Sequence, residues 1–537
     1  MRNEEHVRAL EKALHKQLGT TDEILKLWEE KDYPADKGVV SKFWKYIENA
    51  KNIRIIGDYD ADGICASHIL SKSIKSVFPN KKVSVRIPRR FSEGYGMNMA
   101  IADEIIEEMD KEDSLIITVD NGIKAKEPLE KLKKLGYKVI ITDHHSLDEK
   151  DKIPNVDMCI DPAVDALPNP LEGNYWCGAA VAYKLCEQFL DEPLSHDLKI
   201  YAAIATKADC MPLREGNWGL LRYAIKEIRK GNCPEALSKL LLAMNQSTEV
   251  LDEETIGFYL GPAFNAPGRL MDRGAVEVLK YLNRPTDEGR DNLIALNDRR
   301  KELKKEEYER IVKHLKDTGG INMCPIWISL PGLHEGIVGI LAGELVKEFH
   351  KPAIVLTNAE NNPDEIKGSA RSYGDFDMFE YLSKMSMYLT GFGGHKGAAG
   401  LRLKSEDFDK VRSFQIDESL LTNTEEILHI MINKEEIPSM CKIVNKFRPF
   451  GEGNLAPVFE TDIDLNKDGA TFSKDGKHVF INDPKETYKI TYFNYCDKEK
   501  AEKFGVFGHI SENYFRNKIT PMLNIDESFD LMDERER

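Results

Sequence analysis

At 537 residues, with 41% hydrophobic and 31% charged residues, the sequence is too long for one core and reads as an ordinary soluble globular chain of three or four domains, at ~150 residues each. Its net charge of −16 argues against a protein that coats nucleic acid by bulk electrostatics, though not against a local basic cleft. No apolar run is long enough for a membrane span, and the start, MRNEEHVRALEKALHKQLG, reads as a charged amphipathic helix rather than a signal peptide. The nine scattered cysteines, without Cys-x-x-Cys spacing, read as reduced thiols of a cytoplasmic protein.

Residues 1–45 read as helical and carry no legible chemistry. From Asn52 a strand, turn and helix pattern repeats, with strands predicted at 53–57, 83–87, 115–119, 138–142 and 157–160. Helices are predicted between them, at 98–109 and 126–135 among others. That alternation means a parallel sheet covered on both faces. The first strand stops at Gly57, and Asp58, Asp60 and Asp62 follow before a helical pattern through Ile64, Ser67, His68, Ser71 and Ile74. Helix capping explains one or two of these aspartates. Three crowded together repel unless a cation neutralises them. An EF-hand loop opens in the same way but needs a bidentate Glu at its twelfth position. Counted from Asp58 that residue is Ile69, and a strand precedes the loop.

Two further strands end alike. LIITV runs into Asp120-Asn-Gly122, and VIIT into Asp143-His-His145. Parallel strands share one carboxyl edge, where open α/β sheets bind ligands. Asp209, in KIYAAIATKADCMPL, reads by itself as a turn residue closing a helix. It gains weight only beside the other three motifs.

Residues 235–316 read as mostly helix, the last part charged with an apolar stripe of Leu293, Leu296, Leu303, Ile311 and Leu315. A turn is predicted at the NAPGR segment carrying Asn265 and Arg269. A second α/β lobe follows, with strands at 325–330 and 353–356, a helix at 337–349, and then GSARS with Ser369 and Arg371. A planar guanidinium suits bidentate contact with a phosphate. The segment from Gly391 to Gly397 reads as a glycine-rich loop with Gly393, Gly394, His395 and Lys396, in which backbone amides can approach an anion. From about residue 435, segments such as PVFETDIDL, HVFIN and YKITYFNY suggest a small all-β barrel. Its aromatics Tyr492, Phe493, Tyr495, Tyr514 and Phe515 either stack bases, at about 1–3 kcal/mol each, or fill the barrel core.

GDYDADG, VDNG, TDHH and KADCMPL resemble the ordered motifs of the DHH phosphoesterase superfamily. GPAFNAPGRL, HEGIVGILAGELV, GSARS, GFGGHKGAAGL and RPFGEGNLAPVF resemble the RecJ-like exonucleases within it, from about Asn52 to the C-terminus. The resemblance implies an α/β fold: a parallel-sheet DHH lobe, a long connecting helix, a smaller α/β DHHA1 lobe and a C-terminal OB-like barrel. The expected boundaries are 1–45 for an N-terminal helical segment, 46–230 for the catalytic domain, 231–318 for the connector, 319–430 for DHHA1 and 431–537 for the OB-like domain.

Asp58, Asp60, Asp62, Asp120, His144 and Asp209 make a mostly oxygen ligand set with one imidazole. Hard oxygen donors favour Mg²⁺ or Mn²⁺ over zinc, and the imidazole tilts the choice to Mn²⁺. The resemblance also implies manganese, two ions, one on the Asp60 side and one on the Asp62–His144 side, bridged by Asp120 and Asp209. By the same resemblance His395 and Arg371 bind phosphate, with Ser369, Gly393 and Gly394 beside them, and Asn265 and Arg269 face the substrate. His145 is expected near the scissile phosphate. Arg86, Arg89 and Arg90 either line the DNA path or form a solvated basic edge.

The expected activity is a metal-dependent exonuclease acting on single-stranded DNA from the 5′ end in repair or recombination. The alternatives are a phosphodiesterase for short oligonucleotides or cyclic dinucleotides, and a non-catalytic scaffold. The expected state is a cytoplasmic monomer working beside a single-strand-binding protein or a helicase. Compared with the family, the segment before Asn52 is short and no extra domain follows the barrel. Lys207 and Lys396 stand where apolar or small residues are expected.

Overall fold

The computed structural model describes residues 2–147, 151–167, 171–172, 175–359, 362–422, 427–495 and 502–529. The chain divides into two compact units, one of Met1–Asn265, Ala275–Arg290 and Ile427–Arg537, the other of Ala266–Gly274 and Asp291–Glu426.

The first unit opens with helices Arg2–Leu18, Asp22–Glu30 and Lys37–Asn49. Five strands follow: β1 (Asn52–Ile56), β2 (Lys82–Arg86), β3 (Ser114–Val119), β4 (Lys138–Thr142) and β5 (Met158–Ile160). They pair in the order β2-β1-β3-β4-β5, every pair parallel. Ile53, Ile55, Leu115, Ile116, Ile117, Val139, Ile140 and Ile141 are wholly buried, which is why these runs are continuously apolar rather than alternating. Each such side chain contributes about 1.5–3 kcal/mol by leaving water. β1, β3 and β4 are neighbours, so their three acidic ends meet at one edge. Asn121 fastens that edge: its Nδ2 donates to the carbonyls of Ile56 (3.1 Å) and Val119 (2.9 Å), and its Oδ1 accepts from Met97 N (3.0 Å).

The second unit carries most of the 32-residue helix Asp287–Thr318, the predicted connector. Its Ile311 and Leu315 pack with Ile326, Ile328, Leu341 and Leu345. The sheet comprises β6 (Ile326–Ser329), β7 (Ala353–Ala359), β8 (Asn362–Arg371), β9 (Leu389–His395) and β10 (Ala398–Lys404), in the order β6-β7-β8-β10-β9. Two local readings change here. Residues 391–395 are not a loop but edge strand β9, since pairing along β10 overrides the poor strand propensity of glycine. The NAPGR segment is not a turn but lies in helix Gly261–Leu270, with Pro267 inside it.

The C-terminal part of the first unit adds β11 (His429–Met431), β12 (Val458–Asp464), β13 (Thr471–Phe472), β14 (Val479–Asn482), β15 (Lys489–Tyr492), β16 (Lys503–Phe515) and β17 (Lys518–Phe529) as one seven-stranded sheet. This region is not all β. Helix Ile437–Phe447 sits under the sheet, burying Ile437, Met440, Val444 and Phe447 against Phe459, Ile490, Phe504 and Leu523. Leu10, Leu14 and Leu18 of the first helix join the same core. The N-terminal segment is therefore part of this domain's packing. Among the described residues no helix is long and apolar enough to cross a membrane.

Candidate metal centre

Asp58 follows β1 and Asp60 caps the next helix, Ala61–Val77, by accepting from Gly63 N at 3.0 Å. Capping thus accounts for one of the three aspartates. Asp62 lies in that helix's first turn, and both its oxygens accept backbone hydrogen bonds at 2.7 Å, from Gly178 and Ala179. Those amides open helix Gly178–Cys186, where the orphan donors and the helix dipole favour an anion. Asp120 follows β3, His144 follows β4, and Asp209 caps the end of helix Glu192–Ala208.

The six residues converge. His144 Nε2 stands 3.0 Å from Asp120 Oδ1, 3.5 Å from Asp62 Oδ2 and 3.7 Å from Asp209 Oδ2. Ligand atoms of Asp62, His144 and Asp209 lie within 4.8 Å of one another, as do those of Asp58, Asp60 and Asp120, and those of Asp120, His144 and His145. Asp58 Oδ2 and Asp120 Oδ1 are buried and accept no hydrogen bond. Burial, and then the neighbouring carboxylates, push Asp58, Asp120 and Asp209 well above the usual carboxylate range. Burial also lowers the pKa of His144, leaving its imidazole neutral with a lone pair to offer. Crowded carboxylates, two of their buried oxygens without a donor, around a neutral imidazole are what a divalent cation neutralises. The donor set fits one.

His145 plays a different part. Its Nδ1 pairs with Asp143 Oδ1 at 2.7 Å, and Asp143 is fixed in turn by Ile123 N and His144 N. Burial alone would lower the His145 pKa, but the hydrogen bond and charge of Asp143 win and raise it to about 9. It is therefore a cation at neutral pH, beside a cluster of carboxylates. Tyr95 donates to the Asp120 carbonyl at 2.9 Å and its hydroxyl lies 3.2 Å from His145 Nε2.

Asn265 Oδ1 accepts from Ala61 N at 2.9 Å, so it buttresses the aspartate loop. Arg269 reaches Gly336 O at 3.4 Å in the second unit. There, register pairs Arg371 with Ala398 and Ala398 with His395, and likewise Ser369 with Gly400 and Gly400 with Gly393. Directly opposite residues share a sheet face, so Ser369, Arg371, Gly393 and His395 lie on one face, with only small residues between them. Gly394 falls on the alternate register. Arg371 donates to Ala370 O, and burial lowers its pKa. Such a guanidinium suits an anionic ligand. Arg86 is internal instead, tied to Glu93 and Glu104, and Arg90 stacks over Tyr59. Of the proposed stacking aromatics, Tyr492 and Tyr495 are core, whereas Phe493 and Phe515 are more than half exposed.

Sequence reasoning missed three supports. Asp161 follows β5, obeying the same rule as the other strand ends; burial, then Asp143, raise its pKa to about 7. Tyr95 offered no pattern to detect. Gly178 offered only the small-residue run CGAA. A Cβ there would lie 2.5 Å from Asp120 Cβ and 2.9 Å from its Cα. Gly178→Ala is expected to destabilise the chain by about 1–3 kcal/mol through overpacking and to weaken Mn²⁺ binding; a variant matching wild type in calorimetry and melting would contradict that approach.

The DHH family, N-terminal domain, matches residues 52–208, the DHHA1 domain 325–418 and the RecJ OB domain 432–527. The chain is 30% identical over 524 residues to the single-stranded-DNA-specific exonuclease RecJ of Bacillus subtilis, covering 93% of this chain. It spans 65% of that relative's length. The crystal structure of RecJ with Mn²⁺ from Thermus thermophilus superposes with a TM-score of 0.75 at 22% identity, covering 97% of this chain and 76% of that one. A crystal structure of exonuclease RecJ bound to manganese gives a TM-score of 0.57 at 26% identity, covering 71% of this chain and 94% of that one. The three domain models thus match in one order along the chain, which is similar to the RecJ exonuclease of Bacillus subtilis over most of its length.

Proposed function

We propose that the protein is a two-metal-dependent exonuclease that hydrolyses phosphodiester bonds of single-stranded DNA, from the 5′ end, in DNA repair or recombination. The observation that carries this reading is the convergence of Asp58, Asp60, Asp62, Asp120, Asp209 and His144, with Asp58 Oδ2 and Asp120 Oδ1 buried and without a donor among the described residues. The RecJ relatives bound to manganese support Mn²⁺, or Mg²⁺, as the ions. When bound there, a pair of such ions would supply an activated water and charge stabilisation for phosphodiester hydrolysis.

The chain's own residues supply the rest. Asp58, Asp60 and Asp120 would hold one ion, and Asp62, His144 and Asp209 another. Asp62 is locked in place by the amides of residues 178 and 179. The His145 cation, oriented by Asp143, neutralises charge that builds on the phosphate oxygens. In the second unit, Arg371 and His395, with Ser369 and Gly393 on the same face, bind a phosphate of the strand, assisted by Arg269 and the Gly394 backbone. Asn265 keeps the aspartate loop in register with its helix. The exposed Phe493 and Phe515 stack bases. The eight described cysteines are unpaired, which suits the reducing cytoplasm, where a monomer would work beside a single-strand-binding protein or a helicase.

The test is a time course on 5′- and 3′-labelled single and double strands with Mg²⁺ or Mn²⁺. Wild type should shorten the single strand from its 5′ end. The Asp60→Ala/Asp62→Ala double variant should keep its circular dichroism and lose cleavage. Cleavage retained in that variant would overturn the metal mechanism. Faster turnover of a dinucleotide than of a long strand would favour a short-oligonucleotide phosphodiesterase, and no hydrolysis of any DNA would leave a scaffold.

A further inference from the structure

The segment Arg-Pro-Phe-Gly-Glu-Gly-Asn at 448–454 takes no part in the chemistry above, yet the first unit anchors it firmly. Arg448 is half-buried, with Nη1 at 3.1 Å from Asp252 and 2.6 Å from Glu253, while Nη2 donates to Ile510 O at 3.0 Å. Asn454 ties the loop to itself, donating to the carbonyls of Phe447 and Pro449. From this base three loop carbonyls reach the two flanks of Asp209. Phe450 O accepts from Lys207 Nζ at 3.0 Å, Glu452 O from Leu213 N at 2.7 Å, and Gly453 O from Arg214 Nε at 3.0 Å. The approach is close enough that a Cβ on Gly451 would lie 2.9 Å from Leu213 Cδ1 and 3.1 Å from Lys207 Nζ.

Asp209 needs such support more than its partners do. Asp58, Asp120 and His144 follow largely buried strands of one parallel sheet, and Asp60 and Asp62 open a helix. Asp209 stands where a helix ends, and Cys210 after it takes a left-handed φ of 54°. Nothing within its own element fixes the carboxylate. Lys207, two residues earlier, links the parts. Its Nζ holds the loop, and its stem lies under Gly257, where a Cβ would be 3.2 Å from Cε. Gly257 belongs to the π-helical turn Ile256–Leu260, which leads into the helix whose Asn265 accepts from Ala61 N. π-turns inside helices gather at functional sites.

We infer that loop 448–454 is a positioning brace for Asp209, with Lys207 as its strut, so that the C-terminal domain sets the geometry of one half of the metal centre. The inference rests on the metal reading above. Residues that orient ligands without touching the ion typically change affinity about 10–100-fold when replaced.

The test titrates Mn²⁺ alone into the full chain, reading free ion by electron paramagnetic resonance, and melts each variant with and without Mn²⁺. Lys207→Met keeps the stem and removes the hydrogen bond; Gly451→Ala pushes the loop from the Asp209 segment. Each is expected to weaken Mn²⁺ binding about tenfold, with metal-free melting within a degree or two of wild type. Lys207→Arg, which can still reach the Phe450 carbonyl, should recover part of the affinity. Wild-type Mn²⁺ affinity in both Lys207→Met and Gly451→Ala overturns the brace, as does a fall in metal-free melting large enough to account for the lost affinity. The metal reading fails separately, if the Asp60→Ala/Asp62→Ala variant binds Mn²⁺ as wild type does.

Discussion

Asp120→Asn is expected to cut turnover of a labelled single strand to below about a thousandth of wild type, in keeping with loss of a ligand shared by two ions, while raising the melting temperature of the metal-free chain. The two effects have one cause. Asp120 is buried, its Oδ1 accepts no hydrogen bond, and burial followed by Asp62, Asp60, Asp209 and Asp58 drives its pKa far up. A carboxyl whose folded pKa is raised costs stability at neutral pH and returns it as the pH falls. A neutral isostere removes that cost. Relief of a buried like-charge contact is worth on the order of 1 kcal/mol or more, and each kcal/mol moves a domain of this size by about 2–4 °C.

Asparagine is the right replacement because the Asp120 backbone is left-handed, with φ 59°. Asp and Asn visit that region far more readily than other side chains do, so alanine would add strain and blur the result. Added Mn²⁺ should raise the melting temperature of wild type, by mass action on the folded state, and raise that of the variant much less. Differential scanning fluorimetry with and without Mn²⁺, beside the cleavage assay, reads all three quantities. A variant that keeps a tenth of wild-type turnover, or that melts lower than wild type without metal, would sink the assignment of Asp120 as the shared ligand.

What the sequence made legible follows from where the physics is local. The ends of β1, β3 and β4 were readable because a buried parallel strand must be apolar throughout, so an acid at its carboxyl end stands out. The same rule applies to Asp161, which directly follows the strand predicted at 157–160, but a single acid there, without a second acid or a histidine beside it, does not stand out as the other strand ends do. Strand β9 was unreadable because glycine weakens strands, and its pairing with β10 is a tertiary fact. Helix Ile437–Phe447 carries the spacing Ile437, Met440, Cys441, Val444 and was legible in principle, but the strand-like segments after it set the expectation for the whole region. Arg86 reads as a surface cation until Glu93 and Glu104, 7 and 18 residues away, are seen beside it. The grip on Asp62 could not be foreseen at all. It joins Asp62 to backbone amides 116 and 117 residues further along the chain, and amides leave no mark in a sequence.

His68 should make the fold sensitive to mild acid. The side chain lies in helix Ala61–Val77, 3% exposed, with its ring 4.9 Å from that of Tyr201 and its Nδ1 without a hydrogen bond. Burial above all, and then the charge of Lys72, lower its pKa to about 3, against an opposing hydrogen bond with Asn283. The unfolded chain takes up this proton near pH 6.5, and the folded chain does not. His68 therefore costs nothing above pH 6.5, and stability is lost progressively as the pH falls from 6.5 towards 3. Between pH 6.5 and 5, at ~1.4 kcal/mol per pH unit, the loss is about 2 kcal/mol. Carboxyls with raised pKa, such as Asp120 and Asp161, act in the opposite sense over the same range, so wild type alone cannot isolate the effect. His68→Gln can, because the amide keeps a partner for Asn283 and does not titrate. Urea unfolding at pH 7.5 and pH 5.0 should show wild type losing about 2 kcal/mol more than the variant across that interval. Equal losses in the two proteins would mean that the imidazole finds water or a carboxylate on protonation, and that its burial is not what holds it neutral.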